Sequence, residues 1–202
     1  MRARISARGT VMRISNFFLA AMLLAAATAC TKAPPTQPNL LKTATIKDIM
    51  DSMVDPSGDF MFESVQEIAD ETGIHEKAPQ TDEEWQEVRH RAFILMEAPN
   101  LLVMEGRKVA QPHERSKNPQ VELQPEEIQK LVDGDRASFI RRARRLQDAA
   151  AEAIKAVDAK DKDALFKSID SIDKACENCH LHYWYPNDKR AQQAAKEDGV
   201  VD

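Results

Sequence analysis

The sequence predicts an all-α protein, an antiparallel four-helix bundle, from three observations. Gly is scarce, at 6 of 202 residues, while Ala, Glu, Lys and Leu recur, and this composition favours helix over strand. Apolar residues return every three or four positions in four separate stretches. The last two stretches are joined by only a few residues, which sets them antiparallel. With 43% apolar and 30% charged residues, the chain is long enough for one domain with a real core.

Residues 1–29 read as an export signal. Arg2, Arg4, Arg8 and Arg13 form a positive leader, and no acidic residue precedes Cys30. Phe17 to Ala29 is apolar but too short to span a bilayer comfortably, and it ends in the small residues Ala27-Thr28-Ala29. Met12-Arg13 followed by the same run is a complete signal too, so Met12 is an alternative start. Cys30 abuts the cleavage site in a context resembling a lipobox, with Ala27 where that motif usually has Leu. Cys30 is therefore the expected attachment point of a diacylglyceryl anchor; the alternative is plain cleavage that leaves a free thiol. Residues 30–39 contain Pro34, Pro35 and Pro38 and read as a tether. Cleavage before Cys30 leaves 173 residues and removes four Arg and no acid, carrying the formal charge from −5 to −9. That balance argues against a nucleic-acid partner. The expected location is the periplasm of a Gram-negative-type bacterium, on a membrane through the lipid.

Residues 40–186 form the expected domain. Ile46, Ile49, Met50, Met53 and Val54 make one helical stripe. Pro56 either kinks this helix or starts a new one capped by Asp55. Met61, Val65 and Ile68 continue the spacing to about Thr72, where Gly73 ends it. Thr81-Asp82-Glu83-Glu84 is a capping box that opens the second helix. Trp85, Val88, Ala92, Leu95 and Leu102 form its inner face, Pro99 is expected to kink it and Gly106 to end it. Lys108 to Glu122 reads as a long polar loop, and Gln124-Pro125-Glu126-Glu127 as the start of a short helix to Val132. The third long helix spans about Ala137 to Ala159, with Phe139, Ala143, Leu146, Ala150, Ile154 and Val157 inward. The fourth, from about Asp163, puts Leu165, Ile169, Ile172, Cys176 and Cys179 on one stripe. Residues 187–202 read as a charged tail that frays.

The chemistry is concentrated in Cys176-Glu177-Asn178-Cys179-His180. In such a motif two thiols add to the two vinyl groups of a haem, and the next imidazole reaches the iron from one side. Zinc would need two more ligands, and no second Cys/His pair is spaced to supply them. A redox Cys-x-x-Cys expects a βαβ context that the helical pattern lacks. Cys30, Cys176 and Cys179 are the only cysteines, so one lipid and one haem would use every thiol, as an oxidising compartment favours. The expected cofactor is one covalent haem c, with His180 as its proximal iron ligand.

A late Cys-x-x-Cys-His in a four-helix pattern, followed closely by Tyr183, resembles class II cytochromes c, the cytochrome c′ family and its low-spin relatives. The resemblance covers about Leu40 to Tyr185 and looks like the exported or membrane-anchored members. It implies an antiparallel four-helix bundle with covalently attached haem, whose distal face is covered by the first helix. The long loop between the second and third helices and the Pro-interrupted first helix depart from the compact form. A Met on the first helix would make a six-coordinate, low-spin iron suited to electron transfer; an apolar residue there would leave a site open to small gases such as NO. Met50 is the preferred distal ligand, Met53 the alternative, and no protein ligand the third case, because a Met at helical spacing is commonly core filler. Met61, Met96 and Met104 are assigned to packing, Tyr183 to packing against the porphyrin.

His75, His90, His113 and His182 are expected at the surface or in loops. Arg141, Arg142, Arg144 and Arg145 read as a solvated helix face, or else as a docking patch for an acidic redox partner, or with one Arg near a haem propionate. The resulting expectation is a periplasmic mono-haem one-electron carrier and not an enzyme, since no nucleophile–base pair stands out. Its partners would be redox proteins, and a homodimer is compatible with it. The competing readings are a five-coordinate gas-binding haem protein and a haem-containing assembly subunit.

Overall fold

A computed structural model describes residues 40–200. The expected signal (1–29), the anchor Cys30 and the tether (30–39) lie outside the described residues, as do 201 and 202. The described chain is mostly helical, with bundle-like helix packing. Among these residues no helix is long and apolar enough to cross a membrane.

Helix α1 (Ile46–Ile49) starts at Thr45, whose side chain accepts from the Asp48 N–H while the Asp48 carboxylate accepts from the Thr45 N–H. It passes without a break into a π-helical turn, Met50–Val54, and then into α2, Asp55–Ser64. Pro56 falls in the first turn of α2, where a missing N–H is harmless, so the chain is neither broken there nor capped by the Asp55 side chain.

The expected continuation of this helix to Thr72 is wrong. Val65 turns extended (φ −136°, ψ 120°), and strands β1 (Gln66–Asp70) and β2 (Gly73–Lys77) form an antiparallel hairpin, paired from Gln66↔Lys77 to Asp70↔Gly73. The cause is local turn chemistry. Asp70 accepts from both the N–H and the O–H of Thr72 at 2.7 Å, offering the backbone an alternative to helix. Gly73 adopts φ +134°, a region only glycine enters readily. Ile68 and Ile74 are 43% and 69% exposed, so the helical spacing reached a residue that the core does not use. The fold is thus helical with one small hairpin rather than purely α.

Helix α3 (Asp82–Leu102) carries the expected capping box between Thr81 and Glu84. Trp85, Val88, Ala92, Leu95 and Leu102 are all buried. The helix continues through Pro99 by one turn, and Gly106 (φ +74°) belongs to the following turn rather than the helix end. Helix α4 (Pro125–Gly134) is followed directly by α5 (Arg136–Asp158), capped by the Asp135 carboxylate on the Ser138 N–H. A turn through Lys160 (φ 49°) leads to α6, Lys162–Tyr183. Helix α5 packs against both α3 and α6, and α2 packs against α3. The centre is filled by Met61, Leu95, Leu165 and Ile172, none more than 2% exposed.

The tail does not fray as expected. Asp188 caps α7 (Lys189–Glu197), whose Ala195 is buried. The Asn178 side chain donates to the Val200 carbonyl at 2.7 Å, and Gln192 donates to the Leu181 carbonyl at 3.1 Å. These bonds hold the tail against α6, which a count of charges along the sequence could not reveal.

Candidate functional site

Four segments enclose one cavity of about 1220 Å³, its open mouth included. Helix α6 contributes Ala175, Cys176, Cys179, His180 and Tyr183, followed by Trp184. Helix α1 and the π-turn contribute Ile46, Lys47, Met50, Asp51 and Val54. Helix α5 adds Phe139, Arg142, Ala143 and Leu146, spaced by three and four so that one face looks inward. The fourth wall is α4 (Ile128, Val132) with the loop before it.

The structure brings Cys176, Cys179, His180, Tyr183 and Met50 to this cavity. It leaves Met53 out: that side chain is half-buried against the core. Met61 is fully buried, Met96 packs on the core and Met104 takes an N–H of Arg107 at its sulfur, 2.9 Å away, as packing residues would. His75, His90, His113 and His182 are exposed, and none lines the cavity.

The loop that reads as merely polar is a wall. It is zipped to the start of α1 by Ile46 N–H to Lys108 C=O (2.8 Å) and Lys47 N–H to Val109 C=O (2.9 Å). At its far end Leu123 N–H donates to the Trp184 carbonyl at 2.8 Å. Arg107, 5% exposed, ties it down by donating to the carbonyls of Leu101 (2.6 Å) and Ala44. Burial lowers its pKa, and the bonds to carbonyls keep the guanidinium satisfied where it has no carboxylate. Arg115, Lys117 and Glu122 of this loop join Lys47, Asp51 and Arg142 in giving a largely apolar cavity its charged lining.

No family model, no curated protein and no solved structure matches this chain. The site therefore rests on its own geometry.

Burial pushes the thiol of Cys176 up to about 12, helped by the neighbouring Cys179, and that of Cys179 up to about 11. Both are protonated at neutral pH, the opposite of the lowered thiols of disulfide oxidoreductases. Burial also lowers the His180 pKa, partly opposed by Asp173, so the imidazole is neutral and has a ring nitrogen free to bind a metal. Among the described residues no three His, Cys, Asp or Glu side chains converge as a metal cage would. The motif thus presents two thiols and an imidazole side by side along a wall.

The His180 ring is held by aromatic neighbours. Trp184 meets it edge-on at 5.2 Å between centroids, and Tyr185 lies 5.9 Å away. Tyr185 in turn donates to Glu177 at 2.7 Å. Tyr183 meets Phe139 edge-on at 5.5 Å.

Arg142 corrects the picture of a solvated arginine run. Arg141, Arg144 and Arg145 are exposed, with Arg144 donating to Gln147, but Arg142 turns inward. It donates to the side chain and carbonyl of Asn178, the residue between the two motif positions Glu177 and Cys179. Its Nε is buried without an acceptor, while the buried hydroxyl of Tyr183 lies beside Ser138. Sequence reasoning missed Arg142 as a wall residue, and missed Trp184 and the loop. The spacing of Arg142 from Phe139 and Leu146 was the one available signal.

Proposed function

We propose that this chain is a mono-haem c-type cytochrome, an antiparallel four-helix bundle that carries single electrons with iron held between His180 and Met50. One observation carries the reading: the side chain of Met50 and the Cys176/Cys179/His180 motif, 126 residues apart at their closest, face one cavity. Met50 is the methionine of the cavity wall, and so the thioether available to an iron held by His180.

The residues fit the group. The walls are apolar enough to bury a porphyrin, and the loop cations suit its two carboxylates. One buried donor, Arg142 Nε, lacks an acceptor in the protein alone, and a bound group with carboxylates can offer one. Cys176 and Cys179 would hold the haem as thioethers, and His180 and Met50 would ligate its iron. When bound, that iron supplies a reversible one-electron change of charge. The protein holds the imidazole neutral and braced by Trp184, and places a soft thioether where it favours the reduced metal. It also keeps water from the site with Val54, Leu146 and Val132. His180 and Met50 would both be held by their helices, so little rearrangement of the protein would accompany electron transfer.

The test is the optical spectrum of the reduced protein together with Met50→Ala. Wild type should be low-spin and bind carbon monoxide slowly. Met50→Ala should become high-spin and bind it rapidly, while Met53→Ala should stay low-spin. A wild type that is high-spin and takes carbon monoxide at once would replace the carrier by a gas-binding cytochrome c′-like protein, and then Met50 is only packing. By the same proposal the protein is exported and held at the periplasmic face of a membrane by a lipid on Cys30, with redox proteins as its partners.

A further inference from the structure

Met50 and Met53 differ by three residues, and in a regular α-helix both would look to the same side. Here only Met50 reaches the cavity. The two lie in a π-helical turn, Met50–Val54, closed by the Asp55 N–H donating to the Met50 carbonyl five residues back. A turn with one extra residue advances less per residue than an α-helix, so three residues carry Met53 off the face that Met50 presents to the cavity, although both side chains touch the core. The same turn lets Val54 follow Met50 into the cavity wall.

Pro56 stands just after this turn. In an uninterrupted α-helix its ring would press on the carbonyl of Ser52, four residues back, and its nitrogen could not donate there. The wide turn takes up both problems, and single π turns occur frequently at functional sites. Pro56 itself is exposed and absent from the cavity wall, so it has no direct part in binding.

We infer that Pro56 is a positioning residue: by holding the π turn at Met50–Val54 it selects Met50 over Met53 as the side chain presented to the iron. The inference rests on Met50 ligation and goes beyond it by naming what decides between the two methionines. Pro56→Ala restores the N–H that a continuous α-helix needs. Val54 and Met61, both buried, hold the downstream part in place. Closing the turn therefore rotates the upstream part and moves Met50 off its position. Deleting Ser52, an exposed residue within the turn, removes the extra residue and lets a plain α-helix carry both flanks in their original orientation.

The experiment uses the full-length haem-loaded protein and the sulfur-to-iron charge-transfer band of its oxidised form, with helical circular dichroism as the check on folding. Wild type should show the band, Pro56→Ala should lose it with its helix content retained, and Pro56→Ala with Ser52 deleted should regain it. A merely structural role for Pro56 would lower stability without this loss and rescue. A band unchanged in Pro56→Ala overturns the inference and leaves Met50 ligation standing. If Pro56→Ala alone fails to fold, Pro56→Ala with Ser52 deleted decides: a helical protein with the band supports the register account, and a helical protein without it overturns that account. Absence of the band from wild type overturns Met50 ligation and this inference together, which the other outcomes do not.

Discussion

Single residues at the cavity divide into those that hold chemistry and those that hold other residues. Cys176 and Cys179 are proposed to be of the first kind. Replacing both by Ala should abolish retention of haem through denaturing gel electrophoresis, and release of haem from the wild type under the same conditions would overturn covalent attachment. Asn178 belongs to the second. Only 3% exposed, it receives Arg142 and donates to Val200, joining α5 and the tail to the attachment motif. Asn178→Ala takes one acceptor from Arg142 and leaves the Val200 carbonyl without its donor, and should cost about 1–2 kcal/mol in chemical denaturation. Asp55 shows the opposite economy. Burial raises its pKa, with Asp51 and Asp59 adding repulsion, so its folded state holds a proton more tightly than the unfolded chain. Its contribution to stability therefore improves as pH falls through the raised folded value and worsens as pH rises past it. Asp55→Asn should raise the melting temperature at pH 7 and shrink that gain toward pH 4.

At the scale of elements, the loop of residues 103–124 behaves as a structural part. Arg107→Ala would strip the carbonyls of Leu101 and Ala44 of a buried donor and detach the loop from both α3 and the entry to α1. A loss of about 2–4 kcal/mol is expected, with faster amide exchange at Ile46 and Lys47, whose N–H groups bond this loop. Loss of stability without faster exchange there would mean the loop is held by something else. The β1–β2 hairpin is the contrasting case. Ile68 and Ile74 are exposed, so replacing either by Ser should change stability by no more than about 0.5 kcal/mol. Its tie to the body is the ion pair of Glu76 with Lys162 at the start of α6, an exposed contact of small worth.

At the scale of the whole molecule, helices α1, α4, α5 and α6 share one apolar-lined cavity. If a haem binds there as proposed, it adds apolar contacts to all of these walls. The Cys176→Ala, Cys179→Ala protein, produced without haem, should melt lower and less cooperatively than the haem-loaded form. An identical melt would mean that the cavity collapses or that nothing large occupies it. The proposed anchoring is tested separately. Wild type should partition with membranes and gain the mass of a diacylglyceryl group, and Cys30→Ala should be released into the soluble fraction. A wholly soluble wild type would remove lipidation from the account.

What the sequence determined by itself is what a turn or two of chain can encode. The capping box at Thr81, the buried stripes of the two long C-terminal helices and the spacing of two thiols and an imidazole all depend on groups within four residues of one another. The tertiary structure decided what depends on distant partners. It selected between Met50 and Met53, because one extra residue in a helical turn redirects side chains that simple periodicity places together. It turned Arg142 away from its exposed neighbours, because Asn178 of another helix offers acceptors. It docked α7, whose charges alone suggested fraying, and it made a wall of a polar loop through backbone hydrogen bonds that any sequence could make. Local chemistry is legible residue by residue. The direction in which a side chain points is set by the packing of whole helices, a balance no short stretch contains.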